Sequence, residues 1–153
     1  MAATTTSLLE NEGNPNVANA HSKINDRIAA VKSMPVPNAV GAVGINTNAE
    51  DIARWMNVLL AQGKLAAGNN AGADGKDVRL YSAKQARELW TAQTPMRISE
   101  PNPKLAGTKP NFAAYGLGFQ LRDYHGRLLA MHSGALQGFY SKVVLVPEEK
   151  LGI

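Results

Sequence analysis

The sequence predicts an α+β fold, and three observations carry that prediction. Apolar residues recur at helical spacing from Ile52 to Leu60 and again at Leu89 and Trp90. From Phe112 onward the pattern changes to extended runs separated by short polar turns. Helices therefore come first and consecutive strands afterwards, the order of an α+β domain rather than of alternating βαβ units. The expected whole is a helical region followed by part of an antiparallel sheet. It forms one partial domain over residues 1–153, with mostly loop in 1–47, helices in 48–95 and strands in 112–153.

Residues 1–47 are rich in Ala, Asn, Thr, Ser, Pro and Gly, and "MPVPNAVGAVG" (34–44) is too broken by Pro and Gly for a long regular element. The first helix starts after Asn48, whose side chain suits an N-cap. Glu50 and Asp51 favour the positive end of that helix, and Gly63 ends it. Ile52, Trp55, Met56, Leu59 and Leu60 make its core face. A Gly-rich polar loop, 65–79, leads to a second helix from Ser82, where Ser82 and Gln85 have the spacing of a capping box. It is expected to run to about Gln93, before Pro95. "ISEPNPKLAGTKPN" reads as a surface loop. Then come "AYGLGFQLRDY", a turn at His125-Gly126, "RLLAMHSG", a bend through Leu136-Gln137-Gly138, "FYSKVVLVP" and a turn at "EEK". These are three consecutive antiparallel strands, and Leu151 opens a fourth.

Composition excludes several classes. Hydrophobic residues at 44% and charged residues at 18% are near the globular average, against wholesale disorder. The net charge of +4 comes from 16 Lys and Arg scattered singly, without the basic, aromatic-interleaved patch of a nucleic-acid partner, so none is expected. With no Cys there is no disulfide, thiolate nucleophile or Cys-based metal site. No apolar stretch reaches the length of a membrane span, and the start has neither the basic nor the apolar region of a signal peptide, which leaves the compartment open.

The small polar turn His132-Ser133-Gly134 between apolar runs allows two readings. Either it is an ordinary strand terminus, or it is the end of an active-site strand. Ser133 lacks the G-x-S-x-G elbow that would expose a nucleophile. His21, His125 and His132 have no H-E-x-x-H spacing and no carboxylate cluster, so no metal is expected, and no cofactor either. Gly116 and Gly118 begin a G-x-G without the third glycine and read as close-packed strand positions, while "DGKD" at Asp74 lacks a calcium loop's ligands and reads as a turn.

Several words resemble the serine β-lactamase and penicillin-binding type hydrolases, particularly class C β-lactamases, D-Ala-D-Ala carboxypeptidases and related esterases. "AVGINTNAEDIARWMNVLLAQGKL" resembles that family's glycine turn and following helix, and "LYSAKQARELWTAQTP" its next helix. "YGLGFQLRDYHGRLLAMHSGALQGFYSKVVLVPEEKLGI" resembles its Y-G-L-G strand, its H-S/T-G strand and the strand after. The resemblance implies that His132, Ser133 and Gly134 are the third active-site motif. By it, His132 would orient or electrostatically assist the serine or tyrosine chemistry, and Ser133 would hydrogen-bond a substrate carboxylate or carbonyl. Gly134 would let the substrate approach, and the backbone N–H of Ala135 would be an oxyanion donor. The substrate would be a small amide or ester: a β-lactam, a D-Ala-terminated peptide or a simple ester.

The departures matter as much. No Ser has a Lys three residues on, so the family's S-x-x-K is missing, and no Tyr has an Asn two residues on, so Y-x-N is missing too. The chain is expected to be part of a larger domain and inactive alone, the alternative being a non-catalytic binding or interaction module on the same fold. The strand 139–147, apolar with Lys142 as its one charge, is expected to offer an open edge for self-association.

Overall fold

In the computed structural model, which describes residues 1, 3–6, 13–33, 37–65 and 78–153, six strands form one antiparallel sheet in the order β3-β4-β5-β6-β7-β8. They are β3 (Thr94–Pro95), β4 (Ala113–Tyr115), β5 (Gln120–Tyr124), β6 (Arg127–Leu136), β7 (Phe139–Val146) and β8 (Leu151–Gly152). A separate hairpin is formed by β1 (Ala20–Ile24) and β2 (Arg27–Val31), and the helices are α1 (Val40–Val43), α2 (Ala49–Leu60) and α3 (Ala83–Leu89). This is the α+β class that the sequence predicts.

The described residues cluster into two compact units, Met1–Ala53 with Ser133–Lys142, and Arg54–His132 with Val143–Ile153. In the second unit, Leu59, Leu121, Ala130 and Leu145 are buried together, with Trp55, Met56, Leu89, Phe119, Leu128 and Val143 against them. The α2 side chains there are those the helical spacing selects, and full burial of each Leu is worth about 2 kcal/mol. Helix α3 has the predicted box: the Gln85 N–H donates to Ser82 Oγ at 3.2 Å and the Ser82 N–H to Gln85 Oε1 at 3.1 Å.

Helix α3 stops at Leu89, short of the expected Gln93. The Leu89 carbonyl is taken by the Leu117 N–H at 3.0 Å, tying the helix end to the start of the β4–β5 turn. A Cβ at Gly116 would lie 2.4 Å from that carbonyl oxygen, so only glycine fits there. The same turn corrects the expected single strand through "AYGLGFQLRDY". The Gly116 N–H donates to the Phe119 carbonyl at 2.8 Å and Gly118 has φ +82°, which folds the run into β4 and β5. At the other edge, β8 pairs with β7, and Val144 and Ile153 exchange both backbone hydrogen bonds at 2.8 and 2.9 Å.

The first unit contains order where mostly loop is expected. Asn25 and Asp26, at φ 47° and 62°, make the two-residue turn joining β1 to β2. Ala20 is buried, and the His21 N–H donates to the Gly138 carbonyl at 3.0 Å. Asn48 caps α2 as expected, accepting from the Asp51 N–H at 2.8 Å. The buried Asp51 carboxylate itself accepts from the Ala3 N–H and the Thr4 hydroxyl, both at 2.9 Å, which satisfies a charge that would otherwise be costly to bury. Most of the 65–79 loop, with the turn expected at Asp74, lies outside the described residues.

Candidate active site

His132, Ser133, Gly134 and Ala135 are not at a turn. They lie inside β6, which continues to Leu136 before the Gln137-Gly138 turn. All four are exposed, although Ala130, just before them, is fully buried. Pairing explains the contrast. The β5 register runs from Tyr124↔Arg127 to Gln120↔Met131 and ends there, because the chain has just turned through Gly116–Phe119. Among the described residues, β6 beyond Met131 has no strand on its β5 side.

Hairpin geometry then fixes which backbone groups that open edge presents. His125 (φ 48°) and Gly126 (φ 78°) form a two-residue turn, so Tyr124 and Arg127 exchange both hydrogen bonds, as do every second pair after them. Residues 127, 129 and 131 therefore point N–H and C=O toward β5, and by the same alternation so do Ser133 and Ala135. The next hairpin agrees. Gln137-Gly138 joins Leu136 to Phe139, and a Cβ at Gly134 would lie 3.2 Å from Ser141 Oγ, which sets Gly134 opposite Ser141. In that register His132, Gly134 and Leu136 turn their backbone groups to β7, leaving those of Ser133 and Ala135 on the open edge.

Side chains alternate as well. His132 and Gly134 share the face of Ala130 and Leu128, the core side, whereas Ser133 and Ala135 project from the opposite face. The strand thus sets an imidazole on one side, a hydroxyl on the other, and two backbone N–H donors between them along the edge. Such preorganised donors are what an acyl-transfer site needs where a carbonyl oxygen becomes an oxyanion. A family model, that of the beta-lactamases, matches residues 1–153. The chain belongs to the beta-lactamase family. No curated protein matches it.

Two features of this beta-lactamase-family chain escape sequence reasoning. Lys142 falls directly opposite Ser133 once the hairpin register is known, and Tyr140, 69% exposed, falls opposite Ala135. Both belong to the run that reads only as an apolar strand, and a count back from Gln137-Gly138 is the signal that finds them. Elsewhere, a cavity of about 500 Å³ in the second unit has Trp55, Leu59, Leu89, Leu117 and Phe119 among its walls. Tyr81 also lines it. Burial pushes the Tyr81 phenol above its ordinary pKa, and its hydroxyl has no hydrogen-bond partner among the described residues, so it supplies no base at neutral pH. Gln85 and Glu88 complete the lining, the Tyr81 hydroxyl is hydrogen-bonded to neither, and His132 is not part of it. No helix among the described residues is long and apolar enough to cross a membrane.

Proposed function

We propose that β6 forms one wall of a serine-hydrolase cleft working by acyl-enzyme chemistry on a small amide or ester. The observation behind it is the overshoot of β6 past β5, which among the described residues leaves the backbone of Ser133 and Ala135 without a strand partner on an exposed edge. In this reading the Ala135 N–H is an oxyanion donor, and losing such a donor costs about 3 to 4 kcal/mol of transition-state stabilisation. The Ser133 hydroxyl binds a polar substrate group, Gly134 keeps the surface flat for close approach, and His132 assists the proton and charge movements of the nucleophile. In this reading the nucleophile is a Ser of S-x-x-K, a pattern that none of these 153 residues supplies.

The reading has a direct test in backbone NMR. Titration with N-phenylacetylglycine methyl ester, a neutral acyl compound, should move the Ser133 and Ala135 amides more than those of His132 and Gly134, which are bonded to β7. Equal or absent shifts would overturn the edge as a substrate site. Fluorescent penicillin should not label the purified chain, because no activated hydroxyl is present to be acylated. Stoichiometric labelling would show that another residue of the chain acts as nucleophile.

A further inference from the structure

We propose that the cavity of the second unit binds an arylalkylammonium ion, a flat ring on a short stem that ends in a primary ammonium. Trp55 and Leu59 stand one turn apart on α2, Glu88 and Leu89 share one face of α3, and Phe119 comes from the β4–β5 turn. Leu59 is buried and forms the floor, whereas Glu88 is exposed and stands at the mouth. About 500 Å³ is room for one ring and a short chain. Of the three rings in the wall, two are held before any ligand arrives. A Cβ at Gly63 would lie 2.8 and 2.9 Å from two carbons of the Tyr81 ring, so glycine there lets that ring lie against the end of α2, and the Trp90 ring meets Phe119 edge-on at 6.3 Å. Aromatic faces attract both an apolar ring and a cation. Charge selects the cation. No Lys or Arg lines the cavity, and the Glu88 carboxylate has no hydrogen bond or ion pair among the described residues, unlike Glu100 and Glu149, which pair with Lys109 and Arg127. The Gln85 Oε1 beside it is already taken by the Ser82 N–H. A ligand whose ring lies among Trp55, Tyr81 and Phe119 can thus set its ammonium at Glu88, where a neutral group gains nothing from the charge. The chain as a whole carries +4, so a preference for a cation reports this carboxylate and not the overall field.

Paired NMR titrations with 2-phenylethylamine and 2-phenylethanol, which differ only in the charged group, test this at the Trp55 indole N–H and the Leu59 methyls. At pH 7 the amine should bind about three- to tenfold tighter than the alcohol, the range of a partly exposed charge-assisted contact, and raised salt should narrow the gap. Glu88→Gln should abolish the preference with alcohol binding unchanged, Glu88→Asp should retain part of it, and Glu88→Lys should reverse it. Glu88 is exposed, so these variants should melt close to the wild type. Equal binding of the two compounds by the wild type, or a preference that survives Glu88→Gln, overturns the choice of a cation. Failure of both compounds to move the Trp55 and Leu59 signals overturns the cavity as a binding site.

Discussion

The two halves of β6 are the same strand in opposite circumstances. Residues 127–131 have β5 on one side and β7 on the other, and Ala130 is completely buried. Residues 132–136 keep β7 but lose β5, and His132, Ser133, Gly134 and Ala135 are all exposed. The first half is held by apolar burial, whereas the second clusters with Met1–Ala53 and its turn is tied to β1 by the His21 N–H, which donates to the Gly138 carbonyl. A strand paired on one side and tied at its turn can in this way hold polar groups in solvent, which suits a site whose donors must be in place before a substrate arrives. The largest effect should follow from breaking the first half. Leu145, fully buried beside Ala130, should cost about 3 kcal/mol when truncated to Ala, whereas Ser133→Ala should change stability by less than about 0.5 kcal/mol. Urea unfolding of the two variants measures the contrast, and similar midpoints would erase it.

A finer cut lies within the second half. Proline removes a backbone N–H, so its cost depends on where that N–H points. Gly134→Pro takes a donor out of the β6–β7 ladder, whereas Ala135→Pro removes only a donor that faces the open edge. Thermal unfolding should find Ala135→Pro less damaging by at least about 1 kcal/mol. Reversed costs would mean that the alternation is out of step by one residue, which would move the proposed oxyanion donor to Gly134. His132→Ala adds the chemical side. In a protein that supplies the S-x-x-K nucleophile it should lower kcat/KM at least tenfold and leave the melting temperature nearly unchanged, since His132 is exposed.

The sequence already shows the helix starts, because caps are local. Asn48 and the Ser82–Gln85 pair act on backbone groups three residues away. The turns His125-Gly126 and Gln137-Gly138 are legible for the same reason. What is hidden depends on distant partners. "YGLGF" continues an apolar alternation, and its bend rests on the Gly116–Phe119 bond, the positive φ of Gly118 and the Leu89 carbonyl that holds the Leu117 N–H. The β1–β2 hairpin is masked by weak burial, with Ile24 and Ile28 48% and 71% exposed, although two turn-forming residues between Ile24 and Arg27 were a usable signal. At the site, the motif His132-Ser133-Gly134 is readable by resemblance. Its place inside a strand, and the edge that it lines, depend on where β5 begins.

The strand that covers the first half has its own anchor. Asp123 of β5 accepts from the Asn111 and Phe112 N–H groups at 2.7 and 2.8 Å and holds the approach to β4. The Phe112 bond is the main cause that lowers the Asp123 pKa, with the Asn111 bonds adding to it. A carboxyl with a depressed folded pKa stabilises the fold above its unfolded pKa, and that contribution disappears as pH falls through the folded value. The Asn111 and Phe112 amide shifts should therefore titrate together, with a midpoint below the ordinary aspartate range. Asp123→Asn should abolish that titration with no change at Ser133 or Ala135. A midpoint at or above the ordinary range would show that these bonds do not favour the charged form.

The smallest effect concerns the other edge of the same exposed hairpin. Among the described residues β8 covers β7 only at 144–146, through the Leu145↔Gly152 and Val146↔Leu151 pairs and the Val144–Ile153 bonds. Since Phe139, Ser141 and Val143 bond toward β6, the groups left open on the β8 side among the described residues are those of Tyr140 and Lys142. That edge is shorter than the whole strand 139–147, and Lys142 on it opposes pairing with a second copy by like charge. We propose that self-association through it is weak, with a dissociation constant on the order of hundreds of micromolar, supported by two residues' worth of backbone bonds and the Tyr140 ring. Sedimentation equilibrium at rising concentration should show a shallow increase in mass. Tyr140→Lys should remove it by adding a second charge beside the first, and raised salt should strengthen it in the wild type by screening Lys142. A chain that stays strictly monomeric at high micromolar concentration would show that the open backbone of Tyr140 and Lys142 is too short, or too charged, to pair. The β6 edge would then be the one surface of this hairpin left to meet a ligand.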